Sequence, residues 1–93
     1  MSEYSIAYYE DIRGRLQAIV SEVARNLRPE TYTFLIEMLE SNELGVSLEV
    51  LVEALEEADL PISSGVLEGL SRLSEVMEMA YDVRGPLSNL VRA

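Results

Sequence analysis

Apolar residues recur three or four positions apart in four separate stretches of this chain. Because an α-helix turns once every 3.6 residues or so, this spacing places the apolar side chains of a stretch on one helical face. No stretch alternates apolar and polar residues as a strand would. The sequence therefore predicts an all-α fold, a small four-helix bundle. The four predicted buried stripes are Ile12, Leu16, Ile19, Val20, Val23 and Leu27; Tyr32, Leu35, Ile36 and Leu39; Leu44, Leu48, Leu51, Val52 and Leu55; and Val66, Leu70, Leu73, Met77 and Ala80.

Turn-forming residues between the stripes set the helix boundaries. Pro29 suits a first helical turn, Ser41-Asn42 favours a turn, and Pro61 pushes the preceding residue out of the helical region. Helices are predicted at about 8–26, 29–40, 43–58 and 63–81, with Ser63 or Ser64 capping the last of them. A tail at 85–93 follows, in which Leu87 and Leu90 form a last docked turn. Short connections favour antiparallel neighbours, and 93 residues suit a single domain spanning 1–93.

The residue types that most catalytic sites need are missing. The chain has no cysteine and no histidine, which removes disulfides, the usual zinc ligands, thiol nucleophiles and the commonest general base. It also has no glycine-rich phosphate loop and no nucleophile elbow. We expect that the protein is not an enzyme and binds no metal or cofactor.

The same composition bears on location. No apolar run approaches the roughly 18 residues of a membrane helix. The polar, acidic segment 1–5 differs from a secretion signal, which would be basic and then apolar. A cytoplasmic protein without a membrane span is the expectation.

Negative charge is concentrated in the middle of the chain. Seventeen acids and seven bases give a net charge of -10, and all seven bases lie outside residues 29–71, which hold ten acids. A chain so charged is repelled by phosphate backbones and by anionic lipid. Neither nucleic acid nor membrane is therefore expected as a partner.

The predicted third helix separates apolar and acidic residues onto different faces. Glu49, Glu53 and Glu57 are spaced four apart, so each neighbouring pair repels by roughly 0.2–0.5 kcal/mol, with no base placed to relieve it. A surplus of negative charge on a helix face has two interpretations: the face is simply exposed to solvent, or it attracts a cationic partner. The unrelieved repulsion between the glutamates favours the second interpretation. The predicted partner-binding residues are Glu40, Glu43, Glu49, Glu53, Glu56, Glu57 and Asp59.

Residues 41–63, together with the leucine-rich stretch that runs to Met77, carry a recognisable set of features. These are a turn with Glu43 and Gly45, the helix start Ser47-Leu48-Glu49-Val50-Leu51, the acidic end Glu56-Glu57-Ala58-Asp59, and Leu60-Pro61-Ile62-Ser63 before the final helix. The segment resembles the MafI-type immunity proteins of bacterial polymorphic toxin and contact-dependent inhibition systems, which are small, acidic and helical. The resemblance implies neutralisation of a cognate toxin, often a nuclease. A nuclease presents a basic surface to phosphate, and the acidic residues above could occupy that surface.

Two alternatives stay open on sequence grounds. Leu44-Gly45-Val46-Ser47-Leu48-Glu49 is similar to the segment around the prosthetic serine of acyl carrier proteins, with Ser47 as the attachment site. However, Val46 stands where that family has aspartate, and a helix is predicted where that family has a long loop. A generic helical adaptor subunit is the other alternative.

Overall fold

The computed structural model describes residues 6–91 of the chain. The segment 1–5, on which the expectation of a cytoplasmic location rested, and the last two residues of the predicted tail lie outside that range. Five α-helices follow one another: α1 (Ile6–Val23), α2 (Pro29–Glu40), α3 (Leu44–Ala58), α4 (Ser64–Val76) and the short α5 (Arg84–Leu87). Two 3₁₀ turns, Ala24–Asn26 and Ser88–Leu90, extend α1 and α5. The all-α prediction is confirmed.

Contacts between helix ends show that α1 runs antiparallel to α4. Near the start of α1, the Tyr8 hydroxyl donates to the carbonyl of Val76 at the end of α4, at 3.2 Å. At the other end, the Ser63 hydroxyl before α4 donates to the Glu22 carboxylate near the end of α1, at 3.3 Å. Gly69 lets the two helices approach closely, since a Cβ there would lie 3.1 Å from Cδ1 of Ile19.

Helix α3 runs antiparallel to both α2 and α4. Arg28, just before α2, and Glu57, at the end of α3, line one groove, so α2 and α3 run in opposite directions. Gly45, in the first turn of α3, lies against Met79, which follows the end of α4. The four long helices therefore form the largely antiparallel bundle with short loops that the sequence predicts.

The core follows the predicted stripes closely. The fully or almost fully buried apolar side chains of α1 to α4 are Ile12, Leu16, Val20, Val23, Leu35, Leu39, Leu44, Leu48, Leu51, Val52, Leu55, Val66, Leu67, Leu70 and Leu73. Five members of the predicted stripes are only half-buried and pack around the edge: Ile19, Leu27, Tyr32, Ile36 and Met77. Ala80, predicted to be buried, is exposed. That prediction was wrong because the helix ends before reaching it.

Helices α2, α3 and α4 each end in a turn of the same type. Asn42, Asp59 and Glu78 adopt left-handed backbone conformations, with φ of 58°, 54° and 57°. In each turn the next residue's amide donates to a carbonyl five residues back, which is the Schellman motif. These bonds join Glu43 to Met38 at 3.0 Å, Leu60 to Leu55 at 3.2 Å and Met79 to Ser74 at 2.9 Å.

The turn at Glu78 corrects the predicted fourth helix, which ends at Val76 and not near residue 81. Residues 77–80 contain no glycine or proline to signal an ending. Ending α4 early allows the chain to fold back, so that Val83 is buried in the core and Tyr81 is half-buried beside it. Tertiary packing thus overrides local helix preference at this point.

Residues 84–91 form part of the fold. Leu87 and Leu90 are buried, as predicted for a docked turn. The amide of Ile62 donates to the carbonyl of Leu90 at 2.9 Å, and Ile62 forms a single parallel bridge with Val91. This contact joins the loop between α3 and α4 to the segment Leu90–Val91. Before α4, the Ser63 hydroxyl accepts from the amide of Val66 at 3.1 Å, which confirms the predicted N-cap.

Candidate protein-binding surface

Helix α3 presents carboxylates on the side opposite its buried leucines. Leu48, Leu51 and Leu55 are fully buried, and this fixes the rotation of α3 about its axis. At about 100° per residue, the positions of Glu53 and Glu57 then fall on the outer side, with Glu49 and Glu56 turned toward one flank. Glu53, Glu56 and Glu57 are exposed and Glu49 is half-buried. We call these four residues the α3 acidic face.

Tyr81 lies beside three members of the α3 acidic face. Partial burial raises the pKa of the Tyr81 phenol, and the nearby charges of Glu53, Glu49 and Glu56 raise it further. The backbone of Tyr81 is held in place by the Ser74 hydroxyl, which donates to its carbonyl at 3.3 Å. The structure therefore places an aromatic ring within the field of the acidic face.

The remaining predicted acids lie at the two ends of α3. Glu40 ends α2 and Glu43 immediately precedes α3, whereas Asp59 forms the left-handed turn after α3. At 1.5 Å per residue, Glu43 and Asp59 are about 24 Å apart along the helix. Glu57 has a different neighbourhood from Glu49 and Glu56, since it lines a groove with Arg28 from the start of α2. The seven predicted residues thus extend along α3, and only Glu49, Glu53 and Glu56 share one neighbour in Tyr81.

Within residues 6–91, none of the seven acids is in an ion pair. The two ion pairs there join Arg15 to Asp11 at 3.1 Å and Arg84 to Glu68 at 2.7 Å. The second ion pair partly neutralises the negative charge of residues 29–71, because Arg84 of α5 pairs with Glu68 of α4. The α3 acidic face receives no such compensation.

Besides Arg28 beside Glu57, a second arginine approaches the edge of the predicted surface. Arg13 of α1 donates to the side-chain oxygen of Asn42 at 3.4 Å, in the turn between Glu40 and Glu43. The base lies 30 residues from Glu43 in sequence, so no local pattern could have placed it there. The negative charge is therefore least offset by nearby arginines along the middle of α3.

Ser47, the attachment site required by the carrier-protein alternative, is buried. Its side chain lies inside the bundle with 1% of its surface exposed, and its hydroxyl has no hydrogen-bond partner. A prosthetic group needs an accessible hydroxyl, so this burial argues against the carrier-protein alternative. The periodicity already contained the signal, because Ser47 lies next to Leu48 and four positions before Leu51 on the inner side of α3.

Tyr81 is a residue near the acidic face that sequence reasoning did not assign to a site. It was the last residue of the predicted fourth helix. Its position near α3 depends on the turn at Glu78, for which no glycine gave a local signal.

The described part of the chain contains no group of three Asp or Glu side chains arranged to hold a metal ion. Among the helices in residues 6–91, none has the length and apolar character needed to cross a membrane. The fold and surface define a small all-α domain with an acidic helix face. No family model matches the chain, and no curated protein or solved structure is significantly similar to it.

Proposed function

We propose that this protein is an immunity protein, which binds a cognate toxin with a basic surface through the α3 acidic face and thereby neutralises it. The observation that carries the proposal is the uncompensated charge of that face. Glu53 repels both Glu49 and Glu57 at helical spacing, and none of these three has an ion-pair partner within the described residues. A partner's arginines and lysines would relieve this repulsion on binding.

Apolar surface next to the acids supports a protein as the partner. Val46, one turn before Glu49 and Val50 on α3, is 47% exposed. Protein interfaces combine apolar contacts with complementary charge, and the charge raises encounter rates by about 10- to 1000-fold at low salt. A nuclease is a suitable toxin class, because its active site must attract phosphate and is therefore basic.

The test is capture of the partner from the native host, using the tagged full-length protein and a variant with Glu53→Lys and Glu56→Lys. We expect the wild type to retain a basic protein at low salt, and the variant to bind it at least about tenfold more weakly. The matched control is Glu30→Lys with Glu37→Lys, which changes the net charge equally on exposed positions of α2. Equal retention by the α3 variant and the wild type would refute the acidic face as the contact.

A second step tests neutralisation. The captured protein, expressed alone in a bacterial host, should arrest growth, and co-expression of the wild type should restore it. The α3 variant should restore growth poorly while its thermal stability stays equal or rises slightly, because the substitutions remove like-charge pairs. A partner without toxicity would indicate an adaptor subunit instead.

A further inference from the structure

An apolar pocket opens at the end of the bundle where α1 and α3 begin and α4 ends. Its volume is about 250 Å³, and its accessible walls are Tyr8 and Tyr9 of α1, Gly45 of α3, and Met77 and Met79 after α4. Tyr9 is exposed and the other four are half-buried, so these walls face solvent in part. Drug-sized ligands need pockets of about 300 Å³ or more, so this volume suits one large apolar side chain.

Exposed apolar side chains are concentrated at the same end of the bundle. Among residues 6–91, five large apolar side chains are exposed, and four of them are Ile6 and Tyr9 of α1, Val46 of α3 and Val76 of α4. Val76 is joined to the pocket wall, because its carbonyl accepts from the Tyr8 hydroxyl at 3.2 Å. Exposed apolar residues that cluster in this way mark a site of interaction with another molecule.

The pocket continues into the α3 acidic face. Gly45 and Glu49 are four positions apart, so they lie on the same flank of α3, and Glu53 follows one turn later on the outer side. At 1.5 Å per residue, Glu49 and Glu53 lie about 6 Å and 12 Å from Gly45 along the helix. Arg13 donates to Asn42 of the pocket wall at 3.4 Å, in the turn before α3. From the pocket, negative charge therefore extends along α3, and the positive charge of Arg13 lies in the opposite direction.

We propose that this pocket receives a large apolar side chain from a helix of the partner protein, and that basic residues of the same helix pair with Glu49 and Glu53. The inference rests on the proposed function and names the type of segment that the surface recognises. Because all α-helices share one rise per residue, basic residues four and eight positions from the apolar residue match the spacing on α3. The apolar contact fixes the position of the partner helix, and complementary charge selects a basic one.

The experiment is a titration of the ¹⁵N-labelled full-length protein with a helical peptide, followed by NMR chemical shifts. The peptide is alanine-based and about 19 residues long, enough for an isolated helix, with leucine at its centre and lysine four and eight positions to either side. We expect saturable shifts clustered at Tyr9, Gly45, Glu49 and Met79. Replacing the central leucine by serine should weaken binding at least about tenfold, because the apolar contact is lost. Replacing the lysines by glutamine should weaken binding and remove its dependence on salt.

Substitutions at Gly45 test the pocket from the side of the protein. A Cβ at position 45 would lie 3.8 Å from Sδ of Met79, which is an ordinary contact, so Gly45→Ala should fold and bind the peptide like the wild type. Gly45→Leu fills the pocket and should weaken binding at least about tenfold, while its Tm stays equal or rises because glycine is a poor helix former. Gly14→Leu is the matched control, since nothing lies within 4 Å of a Cβ at that position of α1, and it should leave binding unchanged. Tyr9→Ser removes an exposed wall of the pocket and should also weaken binding.

Several results would overturn the proposal. Equal binding of the leucine and serine peptides would show that charge alone attracts the peptide, and equal binding by the Gly45→Leu protein would place the contact elsewhere. Shifts at the pocket that depend on the concentration of the protein alone would show that a second copy occupies it. Nuclear Overhauser contacts between residues 1–5 and Met79 in the free protein, with no shifts on adding peptide, would show that the chain fills its own pocket.

Partner capture separates this inference from the proposed function. If Gly45→Leu captures the partner normally and the α3 charge-reversal variant does not, the proposed function stands and the pocket inference fails. If the peptide results hold but the charge-reversal variant captures the partner normally, the surface binds basic helices and the proposed function fails.

Discussion

At position 78, glycine should give a more stable protein than alanine, although glycine is the poorer helix former and the position directly follows a helix. Glu78 occupies the left-handed position of the Schellman turn after α4, with φ of 57°. A Cβ is disfavoured there, and glycine is the residue that most often fills this position. The informative comparison is Glu78→Gly with Glu78→Ala, because both remove the carboxylate and only alanine keeps a Cβ.

The expected difference follows from two opposing terms. A left-handed conformation costs an L-residue such as alanine roughly 1–2 kcal/mol, which glycine avoids. Glycine is also more flexible in the unfolded chain, and this lowers its advantage in stability by about 0.4–1 kcal/mol. Glu78→Gly should therefore be more stable than Glu78→Ala by about 0.5–1 kcal/mol. For a domain of this size, that corresponds to a Tm difference of about 2–8 °C.

The assay is urea unfolding followed by circular dichroism, supported by thermal melts. The same pair of substitutions at Gln17, an exposed position within α1, is the control. There the sign should reverse, with glycine about 1 kcal/mol less stable than alanine. If glycine at position 78 is no more stable than alanine, the left-handed turn is refuted, and a helix continuing toward residue 81 becomes the better description.

Two further predictions concern groups near the candidate surface. Ser47→Ala should raise the free energy of unfolding by about 1 kcal/mol, because it removes a buried hydroxyl without a partner. The control, Ser21→Ala at an exposed position of α1, should change the free energy of unfolding by less. A large loss of stability from Ser47→Ala would show that the hydroxyl is hydrogen-bonded. Tyr81 should titrate above its ordinary pKa of 10.0 in ring-labelled NMR spectra, and Glu53→Gln should lower that pKa. Because the pKa of Tyr81 is higher in the folded than in the unfolded state, Tyr81 contributes stability below pH 10 that is lost as the pH rises through its folded-state pKa. An unchanged Tyr81 pKa in the Glu53→Gln protein would refute the interaction between the Tyr81 ring and the α3 acidic face.

The sequence by itself determined the fold class, the four long helices and nearly all of the core. Helical spacing depends only on local geometry, so most buried positions between Ile12 and Leu73 could be read directly from the residue pattern, with Ile62 and Leu67 as the exceptions. The N-cap at Ser63 was equally local, since a serine before a helix bonds an amide three residues away. The positions of the α3 acids follow from the same periodicity, whereas the burial of Ser47, left open by the sequence, came from the structure.

Tertiary structure alone decided where α4 ends and what surrounds the acidic face. The turn at Glu78 carries no glycine signal, and it forms because folding back buries Val83 in a core assembled from distant parts of the chain. That turn brings Tyr81 beside α3 and lets α5 carry Arg84 to Glu68, 16 residues away in sequence. Contacts of this kind depend on how helices pack, and a pattern that repeats every 3.6 residues or so contains no information about them.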